Sequence, residues 1–235
     1  MSPAHPLDRP VWSALTSRQS HLAVGDGRAL RFDADYALFA AAADDADDSV
    51  AALARLLPAG GAMGLVEAGD VRLPDGLTAR SSACVQMTLS ALTPGGPEPA
   101  FEPLGEADAA QMLALATLTE PGPFFSRTHR LGDFIGVRQG GRLVAMAGER
   151  MKPDGFTEVS GVCTHPDWRG RGYAAGLMRI VAARILARGE TPFLHAYAQN
   201  GPAIQLHQSL GFAVRTAIAF TVLTAAPSQG PYGHG

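Results

Sequence analysis

Two cysteines, Cys84 and Cys163, are too few for a disulfide scaffold in a chain of 235 residues. Charged side chains make up only 17%, and Lys+Arg 19 against Asp+Glu 22 leave a net charge of −3. That balance argues against a nucleic-acid partner. No apolar run approaches the ~20 residues of a membrane span, so no membrane partner is expected. Met1 to Pro10 does not follow the order of a signal peptide, with its basic, apolar and small-residue regions. The seven histidines form no H-x-x-x-H pair and no Cys/His cluster, so no metal site is expected. There is no G-x-S-x-G elbow for a serine nucleophile. The expectation is a soluble, cytoplasmic protein of a reducing compartment.

What is present suits a packed core with many turns. Apolar residues reach 46%, beside 27 glycines and 17 prolines. At about 150 residues per domain, the length allows one large domain or two small ones. Near the N-terminus, Asp8 and Pro10 predict a short helix through Trp12, Leu15 and Gln19. Gly25-Asp26-Gly27 predicts a hairpin between 21–24 and 29–32. Four aspartates (Asp44, Asp45, Asp47, Asp48) precede Val50, Leu53, Leu56 and Leu57 at helical spacing, which reads as an acidic helix start. A strand is expected over 83–92. Thr93 to Pro99 holds three prolines and two glycines and continues neither helix nor strand. It is expected to link an N-terminal α/β lobe (1–92) to a second unit (100–223), with a loose tail at 224–235.

The second unit has the sharper pattern. A helix is expected over 107–118, and strands over 133–139 and 142–151 across Gly140-Gly141. A further strand follows at 156–164, a helix at 173–188 with Leu177, Ile180, Val181 and Ile185 on one stripe, a strand at 193–197, a helix at 202–210 and a strand at 212–223.

Between strand and helix lies Arg169-Gly170-Arg171-Gly172-Tyr173-Ala174. Glycines let main chain approach a ligand closely, and the helix start offers unpaired N–H groups with a partial positive charge. Arg169 and Arg171 add charge, so the segment suits a diphosphate. A Walker loop is excluded, because no Gly-Lys-Ser/Thr follows. Gly170-x-Gly172-x-x-Ala175 matches a dinucleotide fingerprint in spacing, but Glu190 precedes its strand where the fingerprint's acid should end one.

The same segment resembles the acyl-CoA loop of the GNAT superfamily of N-acetyltransferases, Arg/Gln-x-x-Gly-x-Gly/Ala, with Arg169, Gly172 and Ala174 matching. The flanks are similar too: Val162 to Trp168 before the loop, then Asn200, Ala203-Ile204-x-Leu206 and Ser209-Leu210-Gly211-Phe212. The resemblance covers roughly Phe101 to Leu223. Two-lobed relatives similar to glycine N-acyltransferases carry an N-terminal lobe that is a degenerate copy of the fold. The resemblance implies an α/β (α+β) fold, a mixed central sheet with splayed strands flanked by helices, here preceded by a smaller α/β lobe.

It also implies acetyl-CoA as cosubstrate and a small-molecule or peptide amine as acceptor. The implied acyl-CoA contacts are Val162, Cys163 and Thr164 on the strand, Arg169, Gly170, Arg171, Gly172, Tyr173 and Ala174 in the loop and helix start, and Asn200. Gly161 fits either a bulge that frees backbone N–H groups or simple packing. Glu158 matches the family's general base, and partial burial beside Phe156 and Val159 would raise its pKa. The alternative is an exposed or ion-paired strand residue, with Glu149 in reserve. His207 stands where many relatives carry a tyrosine acid, and serves either as proton donor or as pocket lining. Cys163 reads as a buried small residue, without the surroundings of a reactive thiolate. Phe124, Phe125 and Arg127 fall where relatives shape the acceptor site, or form core or lid. The function implied is acyl-CoA-dependent N-acyl transfer. The rival is a non-catalytic acyl-CoA-binding or sensing domain. A homodimer is compatible with either.

Overall fold

The structure, a computed structural model, describes residues 5–96 and 98–226. Met1 to Ala4, Pro97 and most of the expected tail lie outside the described residues. The elements in order are α1 (Pro10–Leu15), β1 (Ala23–Gly25), β2 (Ala29–Phe32), β3 (Ala40–Ala42), α2 (Asp47–Arg55), β4 (Ala62–Glu67), β5 (Leu77–Thr88), β6 (Glu102–Leu104), α3 (Ala109–Thr119), β7 (Phe134–Gln139), β8 (Arg142–Glu149), β9 (Phe156–Thr164), α4 (Tyr173–Ala187), β10 (Thr191–Tyr197), α5 (Gly201–Ser209) and β11 (Ala213–Ala225).

Eight strands form one mixed sheet in the order β4-β11-β5-β10-β9-β8-β7-β6, and β1-β2-β3 form a small second sheet. Only β9 and β10 run parallel within the large sheet. The expected hairpins form: β1 pairs β2 around Gly25 to Gly27, and β7 pairs β8 across Gly140 and Gly141, both at positive φ.

Four expectations change. Asp8 does not cap α1. Arg9 stands at that N-cap, while Asp8 closes the preceding turn by accepting from the His5 N–H at 3.2 Å. Gln19 lies past the helix, buried, where it bonds the Arg150 carbonyl at 2.8 Å and the Lys152 N–H at 2.9 Å. The strand expected over 83–92 spans Leu77–Thr88 instead. Its first half is largely exposed and carries no clear alternation, so the β11 ladder defines it. β5 sits between β10 and β11, and β4 pairs the far side of β11. The segment expected as a linker at 93–99 therefore connects strands of a single sheet.

The two faces of the sheet are covered by different parts of the chain. On one, α4 buries Leu177, Met178, Val181, Ala182 and Ile185 against Ile135, Ala145, Val159 and Leu194. On the other, the N-terminal segment buries Leu7, Val11, Leu15 and Phe32 with Phe193, Ile218 and Cys84. α3 packs Met112 and Leu115 on Phe134, Met146 and Cys163. Each fully buried Leu or Phe contributes about 1.5–3 kcal/mol. The N-terminal segment is thus held on the sheet by a core of its own.

Candidate active site

The site forms where β9 and β10 part. Their parallel ladder holds only from Phe156↔Thr191 to Glu158↔Phe193. Beyond it, the β10-facing edge of β9 has no ladder partner. The register of β9 against β8 slips between Met146↔Cys163 and Gly148↔Ser160, which places an extra residue in β9. Gly161 sits there at φ +63°, and a Cβ on it would lie 2.8 Å from the Phe134 ring. The bulge resolves the alternation: Val159 and Val162, three apart, both pack on the α4 side, whereas Cys163 turns to the α3 side.

A cleft of about 480 Å³ follows the free edge of β9 to the start of α4. Val162, Cys163, Thr164, Arg169, Gly170, Arg171, Gly172, Tyr173, Ala174, Asn200 and His207 all line it. Gly170 and Gly172 both take φ +76°, and Gly172 is the α4 N-cap, so the N–H groups of the first helical turn face outward without intrahelical partners. Arg169 and Arg171 are exposed, and the Arg171 guanidinium lies 4.4 Å from the Trp168 ring. The Tyr173 hydroxyl accepts from Gln139 at 3.3 Å. Asn200 caps α5, its Oδ1 accepting from the Ala203 N–H at 3.2 Å.

A second chamber of about 250 Å³ lies between the sheet and the N-terminal segment, lined among others by Phe39, Val66, Glu158, His195, Ile218 and Phe220. The two spaces share Glu120, Pro121, Val162, Met178, Asn200, Ala203 and His207. Two buried polar atoms of cleft-lining residues, Thr164 Oγ1 and His207 Nδ1, have no hydrogen-bond partner among the described residues. Buried polar groups are rarely left so.

Glu158 lies in the chamber but differs from expectation. Burial alone would push its carboxyl up, yet the Arg150 guanidinium and His195 outweigh burial and hold it down to about 2. Arg150 grips both oxygens, Nη2 on Oε1 and Nε on Oε2, each at 2.8 Å. His195 Nδ1 stands 2.9 Å from Oε1. An ionised carboxylate only accepts, so Nδ1 carries the proton. His195 Nε2 then accepts from the Gln86 amide at 3.0 Å, and that amide also donates to the Leu7 carbonyl at 2.8 Å. The expectation of a raised Glu158 pKa fails because Arg150 is its partner.

His207 stands where the two spaces meet. Burial lowers its pKa to about 4, so the ring is neutral at physiological pH. Cys163 is buried, with its thiol pushed up to about 11 by burial, which suits a packing residue. Glu149 lines neither space. It pairs with Arg188 at 2.7 Å and Lys152 at 2.8 Å. Phe124 packs edge-on against Phe134, and Arg127 binds the loop before β3 through the Asp35 carbonyl. The adjacent stretch Glu120 to Pro123 lines the chamber instead.

Sequence reasoning missed Arg150, His195, Gln86, Phe39 and Phe220. No motif marks them; only the pairing of distant strands brings them to one place. Glu120 had a signal in the Pro-Gly-Pro that follows it. It ends α3 at φ +48° and is the one non-glycine residue at positive φ among the described residues.

No described helix is long and apolar enough to cross a membrane. Among the described residues, no group of three or more His, Cys, Asp or Glu side chains could hold a metal ion.

Residues 134–221 match the family model described as FR47-like protein. No curated protein matches the chain. The solved structure of a candidate GNAT-family acetyltransferase from Novosphingobium aromaticivorans is similar at a TM-score of 0.89 and 48% identity, over 95% of this chain and 100% of that one. A GCN5-related N-acetyltransferase from Kribbella flavida shares the fold at a TM-score of 0.59 and 18% identity, over 92% of this chain and 96% of that one. A GCN5-related N-acetyltransferase-like protein from Streptococcus suis does so at 0.56 and 15%, over 92% of each. With 48% identity across nearly its whole length to a member, and with the splayed strands and glycine-rich helix start described above, this chain belongs to the GNAT family.

Proposed function

We propose that the protein transfers an acetyl group from acetyl-CoA to a primary amine by direct attack. The observation that carries this reading is the meeting of two spaces at the β9–β10 fork: a cleft ending on the N-terminus of α4, and a chamber running from the fork to the N-terminal segment. The first suits the long thiol carrier. Its pyrophosphate takes the N–H groups around Gly172 to Ala174, with Arg169 and Arg171 supplying charge. Its pantetheine arm lies along the free edge at Val162 to Thr164, where Thr164 Oγ1 and His207 Nδ1 await partners.

The amine nitrogen bonds to the thioester carbonyl carbon, the C–S bond breaks, and the departing sulfur takes a proton. The amine must be neutral to attack. Glu158, held down to about 2, is a poor proton acceptor by itself. Its part is to hold the Arg150 guanidinium and to fix the His195 tautomer. The adjacent imidazole of His195 is the other base at this place. Protonation at Nε2 requires the Gln86 amide to turn and present Oε1, which gives up that amide's hydrogen bond to the Leu7 carbonyl. His207, neutral, donates its one N–H as a hydrogen bond to the departing sulfur, and the proton that sulfur takes is the one the attacking nitrogen sheds.

The pairing of Glu158 with Arg150 favours a second reading, an acyl-CoA-binding or sensing domain without turnover. A thiol-release assay with acetyl-CoA and pooled amines separates the two. Transfer gives CoA release dependent on an amine, and sensing gives tight binding without release. Glu158→Gln lowers turnover under the first reading and leaves acetyl-CoA binding unchanged under both.

A further inference from the structure

We infer that the acceptor is a compact monoamine with an apolar body, because the inner end of the chamber is walled by hydrocarbon and the carboxylate there, Glu158, is already paired. The inference rests on the acetyl-transfer reading and narrows it. The buried end of the chamber is built from Phe39, Val66, Ile218 and Phe220, supplied by the segment before β3, by β4 and by β11. The Phe39 and Phe220 rings lie 6.1 Å apart at a tilt. Phe39 is only 2% exposed. Its segment is tied down by the Thr128 hydroxyl on the Tyr36 carbonyl at 2.6 Å and the Arg127 N–H on the Asp35 carbonyl at 2.8 Å. The chamber therefore ends against the chain's own N-terminal segment.

The ion pair at the inner end of the chamber is already satisfied. Glu158 Oε1 accepts from Arg150 and His195, and Oε2 accepts from Arg150 and, at 3.3 Å, from the Met151 N–H. The Arg150 guanidinium also rests 4.7 Å from the Phe39 ring. A second ammonium or a carboxylate carried to this inner end would have to break this pair or be buried unpaired, and both are costly. A cavity of about 150 Å³ takes up benzene, so the chamber's space of about 250 Å³ has room for a body of roughly eight to twelve non-hydrogen atoms. The reacting nitrogen belongs at the residues shared with the cleft, where Glu120, exposed, meets the ammonium as it enters.

The test is a comparison of kcat/KM, by thiol release from acetyl-CoA with the full chain. The acceptors are phenethylamine, hexylamine, propylamine, phenylalanine, spermidine and a lysine-containing peptide. Phenethylamine or hexylamine should exceed phenylalanine, spermidine and the peptide by at least about ten-fold. Ile218→Phe, which fills the chamber, should cut the hexylamine-to-propylamine ratio about ten-fold. Phe220→Leu, a milder change, should shift the preference toward bulkier amines. A preference for phenylalanine, spermidine or the peptide overturns the substrate class and leaves acetyl transfer standing. Product from no amine, with protein that binds acetyl-CoA in calorimetry, overturns both.

Discussion

His195 Nδ1 and Arg150 Nη2 both bind Oε1 of Glu158, at 2.9 and 2.8 Å, so the carboxylate expected to act as a free base is the centre of a buried ionic cluster. Removing its charge strands the Arg150 guanidinium. Glu158→Gln should cost roughly 3–5 kcal/mol of stability, measured by urea unfolding. The double change Arg150→Met with Glu158→Met should cost far less, because no unpaired charge remains.

The same cluster sets an acid limit. The Glu158 carboxyl is held at about 2, below its ordinary 4.5. A depressed carboxyl stabilises the fold above the unfolded value, and that contribution is lost as pH falls from about 4.5 toward 2. Unfolding followed across this window should be less pH-dependent in Glu158→Gln than in the parent chain. Equal slopes would mean that Glu158 is not held ionised.

His207 should stay neutral through the physiological range, since burial takes it from 6.5 to about 4. Its stabilisation is full above 6.5 and is lost as pH falls through that value toward 4. NMR of the ring should show no titration between about pH 8 and 5. An inflection near 6.5 would expose the ring to solvent and remove it from the junction of the two spaces.

The loop and helix start were legible in the sequence, because glycine spacing, flanking arginines and the apolar stripe of α4 are local features. Most of the 100–223 elements fall within a few residues of expectation for the same reason. The acceptor side was not legible. Gln86 and His195 are 109 positions apart and meet only because β5 pairs with β10. Arg150 meets Glu158 across a turn that carries no signal for a buried ion pair. β5 itself lies inside the sheet of the later strands, which no boundary drawn from composition at 93–99 could reveal.

Arg169 should contact phosphate. Arg169→Ala should weaken acetyl-CoA binding by about ten-fold at low salt and flatten its salt dependence, read by calorimetry at two ionic strengths. Unchanged affinity would remove Arg169 from the site.

Gly161 should tolerate no side chain. At φ +63°, with the Phe134 ring 2.8 Å from where a Cβ would stand, Gly161→Ala should cost on the order of 1–3 kcal/mol and disturb the β9 bulge. Thermal unfolding and acetyl-CoA affinity should both fall. An alanine variant with parental values in both would show that the bulge does not shape the cleft.

Mass spectrometry of the products formed from acetyl-CoA and an apolar amine tests the central claim most directly. Acetyl transfer predicts one N-acetylated amine for each CoA released, with no acetyl group left on the protein. Saturable acetyl-CoA binding that yields no acetylated amine would contradict it.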